Sequence, residues 1–305
     1  MEHLTDIENI SKEDILNIIT LAKEFKNGTK KSDVEKKTLA LMFYENSTRT
    51  KCSFEIAAQK LGMNIINFDA NHSSLLKGES LKDTIENLYF IGVNAVVIRH
   101  SYSGIINNVM RLVKYPIKFI NGGDGTHAHP SQALLDFYTM LEKIGSIENK
   151  KITIIGDVAH SRVAKSNIKL LSKCGADIHF CAPTYLQFEN LQGFDISYHN
   201  DVIEAVSGAN VVMVLRVQNE RHEKEGYPDS SEYKRLYEID TSLLKRYAAK
   251  DVILMHPGPA NRNIEVSSEL LDNTVGKTIL EQAQNGVFVR MAILNTLLKG
   301  GSNAS

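Results

Sequence analysis

Cysteine is scarce in this sequence. Cys52, Cys174 and Cys181 are all there is, an odd number with no CxxC pair. That excludes a disulfide framework and a cysteine-based zinc site, and it points to a reducing compartment, the cytoplasm. Long apolar runs are also missing, so no segment reads as a membrane span, and residues 1–30 are too charged for a signal peptide. Charge of one sign does not dominate: the net charge is −1 and the pI about 6.8. No global basic field invites nucleic acid, and an anionic ligand would need positive charge concentrated locally. The G-x-G-x-x-G dinucleotide fingerprint does not occur, and there is no internal repeat or low-complexity segment.

What is present suffices for two domains. The chain has 305 residues, of which 43% are hydrophobic, enough to bury sizeable cores. Ser11 to Asp14 fits a capping box, and Ile15, Ile18, Ile19, Ala22 and Phe25 make a helical stripe that ends at Asn27-Gly28. Short apolar runs then alternate with helical patterns. Strands are expected at Thr38 to Tyr44, Met63 to Phe68, Ala95 to Ile98 and Ile117 to Ile120, with helices at 48–61, from Ser80 to Ile91 and at 105–113. Gly122-Gly123-Asp124-Gly125 interrupts the series, and 131–143 reads as a helix bridging two domains. A second series follows, with strands at Ile152 to Ile155, Ile178 to Cys181, Val211 to Leu215 and Val252 to Met255, and a helix at 162–174. Residues 216–238 form a long charged connection, of the kind that is usually functional or mobile. A last helix, roughly 279–299, carries Ala283, Val287, Met291, Leu294 and Leu298 on one face, and the tail from Gly300 should fray.

This alternation predicts an α/β protein of two doubly wound parallel-sheet domains. The boundaries are expected near 1–135 and 136–284, with the C-terminal helix, 285–305, packing back on the first domain. Ligands of such sheets bind beyond the carboxyl ends of the strands. Polar clusters follow six of the strands, which argues for one interdomain active-site cleft.

The chain is organised around Phe43-Tyr44-Glu45-Asn46-Ser47-Thr48-Arg49-Thr50 and the helix after it. Hydroxyls, a guanidinium and backbone N–H groups at a helix start suit a phosphate or another compact oxyanion. By spacing alone, an ordinary N-cap beside a surface arginine fits as well. A histidine before Pro130 is held extended, and His129 there can donate to an oxygen gaining negative charge. His127 and His129 also raise a metal, but no third ligand lies nearby. Arg162 opens a helix and can clamp a carboxylate, while Arg216 and Gln218 alternate along an extended segment.

Taken as strings, these stretches resemble the transcarbamylase family. Ser47-Thr48-Arg49-Thr50 followed by Ser53-Phe54-Glu55 resembles its carbamoyl-phosphate-binding motif, and His129-Pro130-Ser131-Gln132 its His-Pro-x-Gln motif. Leu215-Arg216-Val217-Gln218-Asn219-Glu220-Arg221 is similar to a segment of the aspartate-specific branch, whereas the Ser-Met-Gly and His-Cys-Leu-Pro signatures of ornithine-specific relatives do not occur. The resemblance runs from Phe43 to Met291 with the motifs in family order.

The resemblance implies transfer of a carbamoyl group from carbamoyl phosphate to the amine of L-aspartate, in de novo pyrimidine biosynthesis. It implies that Ser47, Thr48, Arg49, Thr50, Arg99, His129, Gln132, Gly258 and Pro259, with Ser73, hold carbamoyl phosphate. It implies that Lys77, Arg162, Arg216 and Gln218 hold aspartate, and that Arg49, Thr50, Lys77 and His129 act in catalysis. By the same resemblance Ser73 and Lys77 reach the site from the neighbouring chain of a homotrimer, and Gly258–Pro259 is a cis peptide. No metal and no cofactor are implied, and association with a regulatory chain or a dihydroorotase is left open. His127 has no matched role, and Val163 stands where some relatives carry threonine. Two alternatives remain: a transcarbamylase for another amino acid such as ornithine, and a non-catalytic phosphate- or dinucleotide-binding protein, which would need the cleft but not His129.

Overall fold

The computed structural model describes residues 1–68, 78–183, 186, 193–216 and 230–299. The chain divides into two compact units. One is Met1–Leu135 with Gln284–Ser305, the other Asp136–Ala283.

The first unit begins with α1 (Lys12–Lys26). Its Ser11 hydroxyl accepts the Asp14 N–H at 3.0 Å, and Ile15, Ile18, Ile19, Ala22 and Phe25 are its buried face. Then come β1 (Thr38–Phe43), α2 (Thr48–Lys60), β2 (Asn64–Phe68), α3 (Leu81–Phe90), β3 (Ala95–His100), α4 (Ile105–Leu112), β4 (Lys118–Asp124) and α5 (Pro130–Ile144). The four strands form one all-parallel sheet in the order β2-β1-β3-β4. Both faces of β1 and β3 are buried, which is why these strands read as continuous apolar runs rather than alternating ones. Ala40, Met42, Val96 and Ile98 pack with Ile85 and Leu88 of α3 and Ile106 and Val109 of α4. Burying each large aliphatic side chain there contributes about 1.5–3 kcal/mol.

The second unit contains β5 (Lys151–Ile155), α6 (Arg162–Lys173), β6 (Asp177–Cys181), β7 (Ile196–His199), α7 (Val202–Val206), β8 (Val211–Val214), α8 (Ser230–Tyr237), α9 (Thr241–Tyr247), β9 (Ile253–Met255) and α10 (Ser268–Asp272). Its sheet is also all parallel, in the order β7-β6-β5-β8-β9. Ile155, Val212, Val214 and Leu254 share one core with Tyr233, Tyr237 and Ile239. The final helix, α11 (Lys277–Leu298), starts in this unit, and its part from Gln284 belongs to the first. There Asn295 donates to Asp33 at 3.0 Å, Lys26 donates to Asn285 at 2.7 Å, and Arg290 donates to Ser53 at 2.9 Å.

Three expectations change. The fourth strand runs to Asp124, because β3 and β4 shift register between Ile98 and His100 and the glycine pair Gly122-Gly123 forms a bulge inside the ladder. Part of the charged 216–238 stretch is α8, and β7, α7, α9 and α10 have no counterpart in the sequence reading. These elements are four to eight residues long, or half exposed like β7, too little for a periodicity to register. The last helix buries Met291, Leu294 and Leu298 of the expected face but is buried more widely than that stripe. Ala283 is exposed, while the polar Gln282, Asn285, Arg290 and Asn295 are buried with partners.

Candidate active site

In the first sheet the order reverses between β1 and β3, so the crossovers leave in opposite directions and a crevice opens at the carboxyl ends of these two strands. The Ser47–Thr50 turn follows β1 there, and Arg99 ends β3. Phe43 is Arg99's register partner, and the Tyr44 N–H donates to the Arg99 carbonyl at 2.9 Å. The Arg99 guanidinium spans the site: Nε lies 3.1 Å from Glu45 Oε2, and Nη1 donates to the Gly122 carbonyl in the β4 bulge at 3.1 Å.

The helix after the turn starts in an unusual way. Ser11, Ser80, Ser161, Asp201, Asp240 and Ser267 each cap their helix with a side-chain oxygen. Ser47 occupies the same position before α2 and makes no side-chain cap bond. Its hydroxyl is therefore not spent on the first-turn amides, where the helix dipole favours an anion. Thr50 is buried one turn in, whereas Thr48 and Arg49 are exposed. Behind them Arg290 of α11 fixes α2, with its Nη1 on Ser53 and its guanidinium 4.9 Å from the centre of the Phe54 ring.

The loop after β4 carries the histidines. Gly125 has φ +46°, and a Cβ on it would stand 2.7 Å from the Ser103 nitrogen and 3.0 Å from the Ser101 carbonyl, so only glycine fits. Asp124 organises the turn. Its carboxylate accepts from Asn121 Nδ2 (2.8 Å), the Gly104 N–H (2.8 Å) and the Ala128 N–H (3.1 Å). His127 Nδ1 lies 3.0 Å from the same carboxylate, and Nε2 lies 3.2 Å from Asp6. Hydrogen bonding to Asp124, then to Asp6, raises the His127 pKa from 6.5 to about 9. His129 and Gln132 are buried at the start of α5, where the His129 carbonyl accepts the Gln132 and Ala133 N–H groups.

The second sheet reverses order between β5 and β8. Gly156-Asp157 leaves β5 and leads to Arg162 at the start of α6. Leu215-Arg216 leaves β8. The two exits touch: a Cβ on Gly156, at φ +120°, would lie 3.2 Å from both the Cβ and the carbonyl oxygen of Leu215. Both arginines are half-buried. Two guanidiniums flanking one crevice suit a ligand with two carboxylates.

After β9, the Gly258–Pro259 bond is cis, and the Gly258 N–H donates to His256 Nδ1 at 2.8 Å. That bond makes Nδ1 an acceptor, so the proton of the neutral ring sits on Nε2, which is 3.3 Å from Glu265. Glu265 also accepts the Asn261 N–H at 2.6 Å. On the other side the His256 N–H donates to Gln282, and Gln282 donates to the fully buried Asp136, which also accepts from Asn167.

The sequence candidates thus fall into two groups. Ser47, Thr48, Arg49, Thr50, Arg99, His129 and Gln132 belong to the first unit, and Arg162, Arg216, Gly258 and Pro259 to the second. Ser73, Lys77 and Gln218 lie outside the described residues. Sequence reading did not single out Glu45, Arg290, Asp136, Gln282 or Glu265. A charged residue inside an apolar helical stripe, as Arg290 is, was the available signal.

Residues 2–142 match the family model described as aspartate/ornithine carbamoyltransferase, carbamoyl-P binding domain, and residues 148–297 match the Asp/Orn binding domain of the same family. The aspartate carbamoyltransferase catalytic subunit of Thermobifida fusca (strain YX) is 42% identical over 305 residues, covering 98% of this chain and 96% of that one. Aspartate transcarbamoylase from Trypanosoma cruzi, solved with carbamoyl aspartate and phosphate, superposes with a TM-score of 0.87 at 29% identity, over 97% of this chain and 96% of that chain. Ornithine carbamoyltransferase from Pyrococcus furiosus gives a TM-score of 0.86 at 28% identity, over 98% of this chain and 97% of that chain.

Proposed function

The chain belongs to the aspartate/ornithine carbamoyltransferase family, and from that premise we propose that it is the aspartate enzyme's catalytic chain. It transfers the carbamoyl group of carbamoyl phosphate to the amine of L-aspartate, releasing N-carbamoyl-L-aspartate and phosphate, a step of de novo pyrimidine synthesis. The backbone does not separate the aspartate from the ornithine branch, since both superpose almost equally well. The observation that carries the choice is the pair Arg162 and Arg216 at the second sheet's switch point. An ornithine side chain ends in an ammonium group, which two guanidiniums would repel. Aspartate offers two carboxylates.

The phosphate group sits at the uncapped start of α2, held by the Ser47 and Thr48 hydroxyls, first-turn N–H groups, Arg49 and Arg99. His129 and Thr50 polarise the carbamoyl oxygen, and Gln132, with the Gly258–Pro259 backbone, orients the carbamoyl nitrogen. The deprotonated aspartate amine attacks the carbamoyl carbon. Negative charge grows on the carbonyl oxygen, where His129, Thr50 and Arg49 offset it. The C–O bond to phosphate then breaks, the extra proton of the attacking nitrogen passes to an oxygen of the departing phosphate, and the arginines stabilise the hydrogen phosphate dianion that leaves. Arg162, Arg216 and Gln218 fix the two carboxylates of aspartate, so the amine meets the carbon without an orientational search.

The working form is a cytoplasmic homotrimer whose neighbouring chain supplies Ser73 and Lys77. Three free cysteines support a reducing compartment. Carbamoylation of aspartate and ornithine, measured side by side, tests the reading. Aspartate should be the better substrate, with succinate competing, and Arg216→Ala should raise the aspartate KM while leaving carbamoyl phosphate affinity nearly unchanged. Faster turnover of ornithine would overturn it.

A further inference from the structure

His127 faces a carboxylate with each ring nitrogen. Nδ1 is 3.1 and 3.0 Å from the two Asp124 oxygens, and Nε2 is 3.2 Å from Asp6 Oδ2. An ionised carboxylate only accepts, and a neutral imidazole has one N–H. Both contacts are satisfied only when both nitrogens carry protons, which makes the ring an imidazolium.

Both carboxylates are held in place by further hydrogen bonds. Asp6 and Asp124 are buried, at 2% and 1% exposure. Asp124 accepts from Asn121, Gly104 and Ala128, and Asp6 accepts the Glu8 N–H. These two are the charged groups facing His127. Asp6 comes from the N-terminal segment, which is tied to β4 where the Leu4 N–H donates to Phe119 and the Asn121 N–H donates to Leu4. Asp124 ends β4.

The ring also lies across the turn that delivers His129. The Asp124 N–H donates to the Ala128 carbonyl at 3.1 Å, the His127 N–H donates to the Asp124 carbonyl at 2.9 Å, and the Ala128 N–H returns to the Asp124 carboxylate. Ala128 is one peptide from His129. Without a cation between them, two buried carboxylates would repel across the turn.

We propose that His127 is a positioning residue, an imidazolium pin between Asp6 and Asp124 that holds the turn carrying His129. The inference rests on the reading of His129 as the group that polarises the carbamoyl oxygen.

Nitrogen NMR on histidine-labelled wild-type protein tests the pin directly, with His127 assigned by the signal lost in His127→Gln. At about pH 8, where an ordinary histidine is neutral, His127 should show two protonated ring nitrogens and should deprotonate near the raised value of about 9. A neutral tautomer at that pH overturns the proposal. In steady state, His127→Gln should lower kcat about tenfold or more and change the carbamoyl phosphate KM no more than about threefold, because what is lost is His129 geometry and not phosphate contacts. An unchanged kcat overturns it. Asp6→Asn combined with His127→Gln removes the repulsion and should recover part of the lost kcat. No recovery counts against the pin, and this double variant carries the kinetic test should the single one fail to fold. His129→Ala serves as the separate control. If it retains full activity, the reading of the site fails, whatever His127 does.

Discussion

Arg99 and Glu45 form an ion pair, with Nε 3.1 Å from the carboxylate and both side chains mostly buried. Together with the Gly122 carbonyl on Nη1, this fixes the plane of the guanidinium beside the α2 start. A planar guanidinium hydrogen-bonded to a carbonyl on one side and ion-paired to a carboxylate on the other cannot be copied by an ammonium group. Arg99→Ala should weaken carbamoyl phosphate binding by roughly 1.5–3 kcal/mol, as expected for a charge-assisted contact. Arg99→Lys should restore little of it. Calorimetric titration with carbamoyl phosphate or inorganic phosphate measures both, and full affinity in the lysine variant would refute the oriented-fork account.

Gly125 cannot take a side chain. The atoms facing its absent Cβ are the Ser103 nitrogen and hydroxyl and the Ser101 carbonyl, and backbone does not rotate away as a flexible side chain would. Gly125→Ala therefore has to shift the β3–α4 connection or the histidine turn. Activity should fall sharply, and the urea midpoint should drop by the equivalent of about 1–3 kcal/mol. A variant with native midpoint and native kcat would show that the turn yields freely.

The sign of the pH effect at His127 follows from its raised pKa. The folded value is about 9 and the ordinary value 6.5, so the folded state holds the proton more tightly. Its stabilising contribution is complete below about pH 6.5 and disappears as the pH rises through about 9. Urea denaturation of wild type and His127→Gln across this range should show the difference between them shrinking on the alkaline side. A difference that stays constant or grows there contradicts the assignment.

Sharing of the site between chains has its own test. Arg49→Ala and Lys77→Ala should each lose most activity alone. Mixed in equal amounts and reassembled, they should regain roughly a quarter of wild-type activity, since random rings join two intact halves in about one site in four. A mixture as inactive as its parents, with subunit exchange verified by mass, removes Lys77 from a neighbour's site.

The sequence by itself determined the two α/β series, the first helix and its cap, and the strings that name the chemistry. These are local properties. The Ser11 cap and the Ile15 to Phe25 stripe arise from contacts three and four residues apart, and runs such as Thr38–Phe43 are apolar because both sheet faces are covered. Gly258–Pro259 is where the cis bond lies, at a position the resemblance had marked.

Only the tertiary structure decided which partners meet across long separations. Arg290 reaches Ser53, Asp6 reaches His127, and Gln282 joins Asp136 to His256. No periodicity encodes such pairs, because they depend on crossover connections and on which strands become neighbours. The same holds for strand order. Alternation predicts a parallel sheet, but the reversals between β1 and β3 and between β5 and β8 come from the direction of each crossover. Those reversals turn two ordinary strand ends into crevices, and the turns at their mouths become sites because parallel strands bring all their carboxyl ends to one edge.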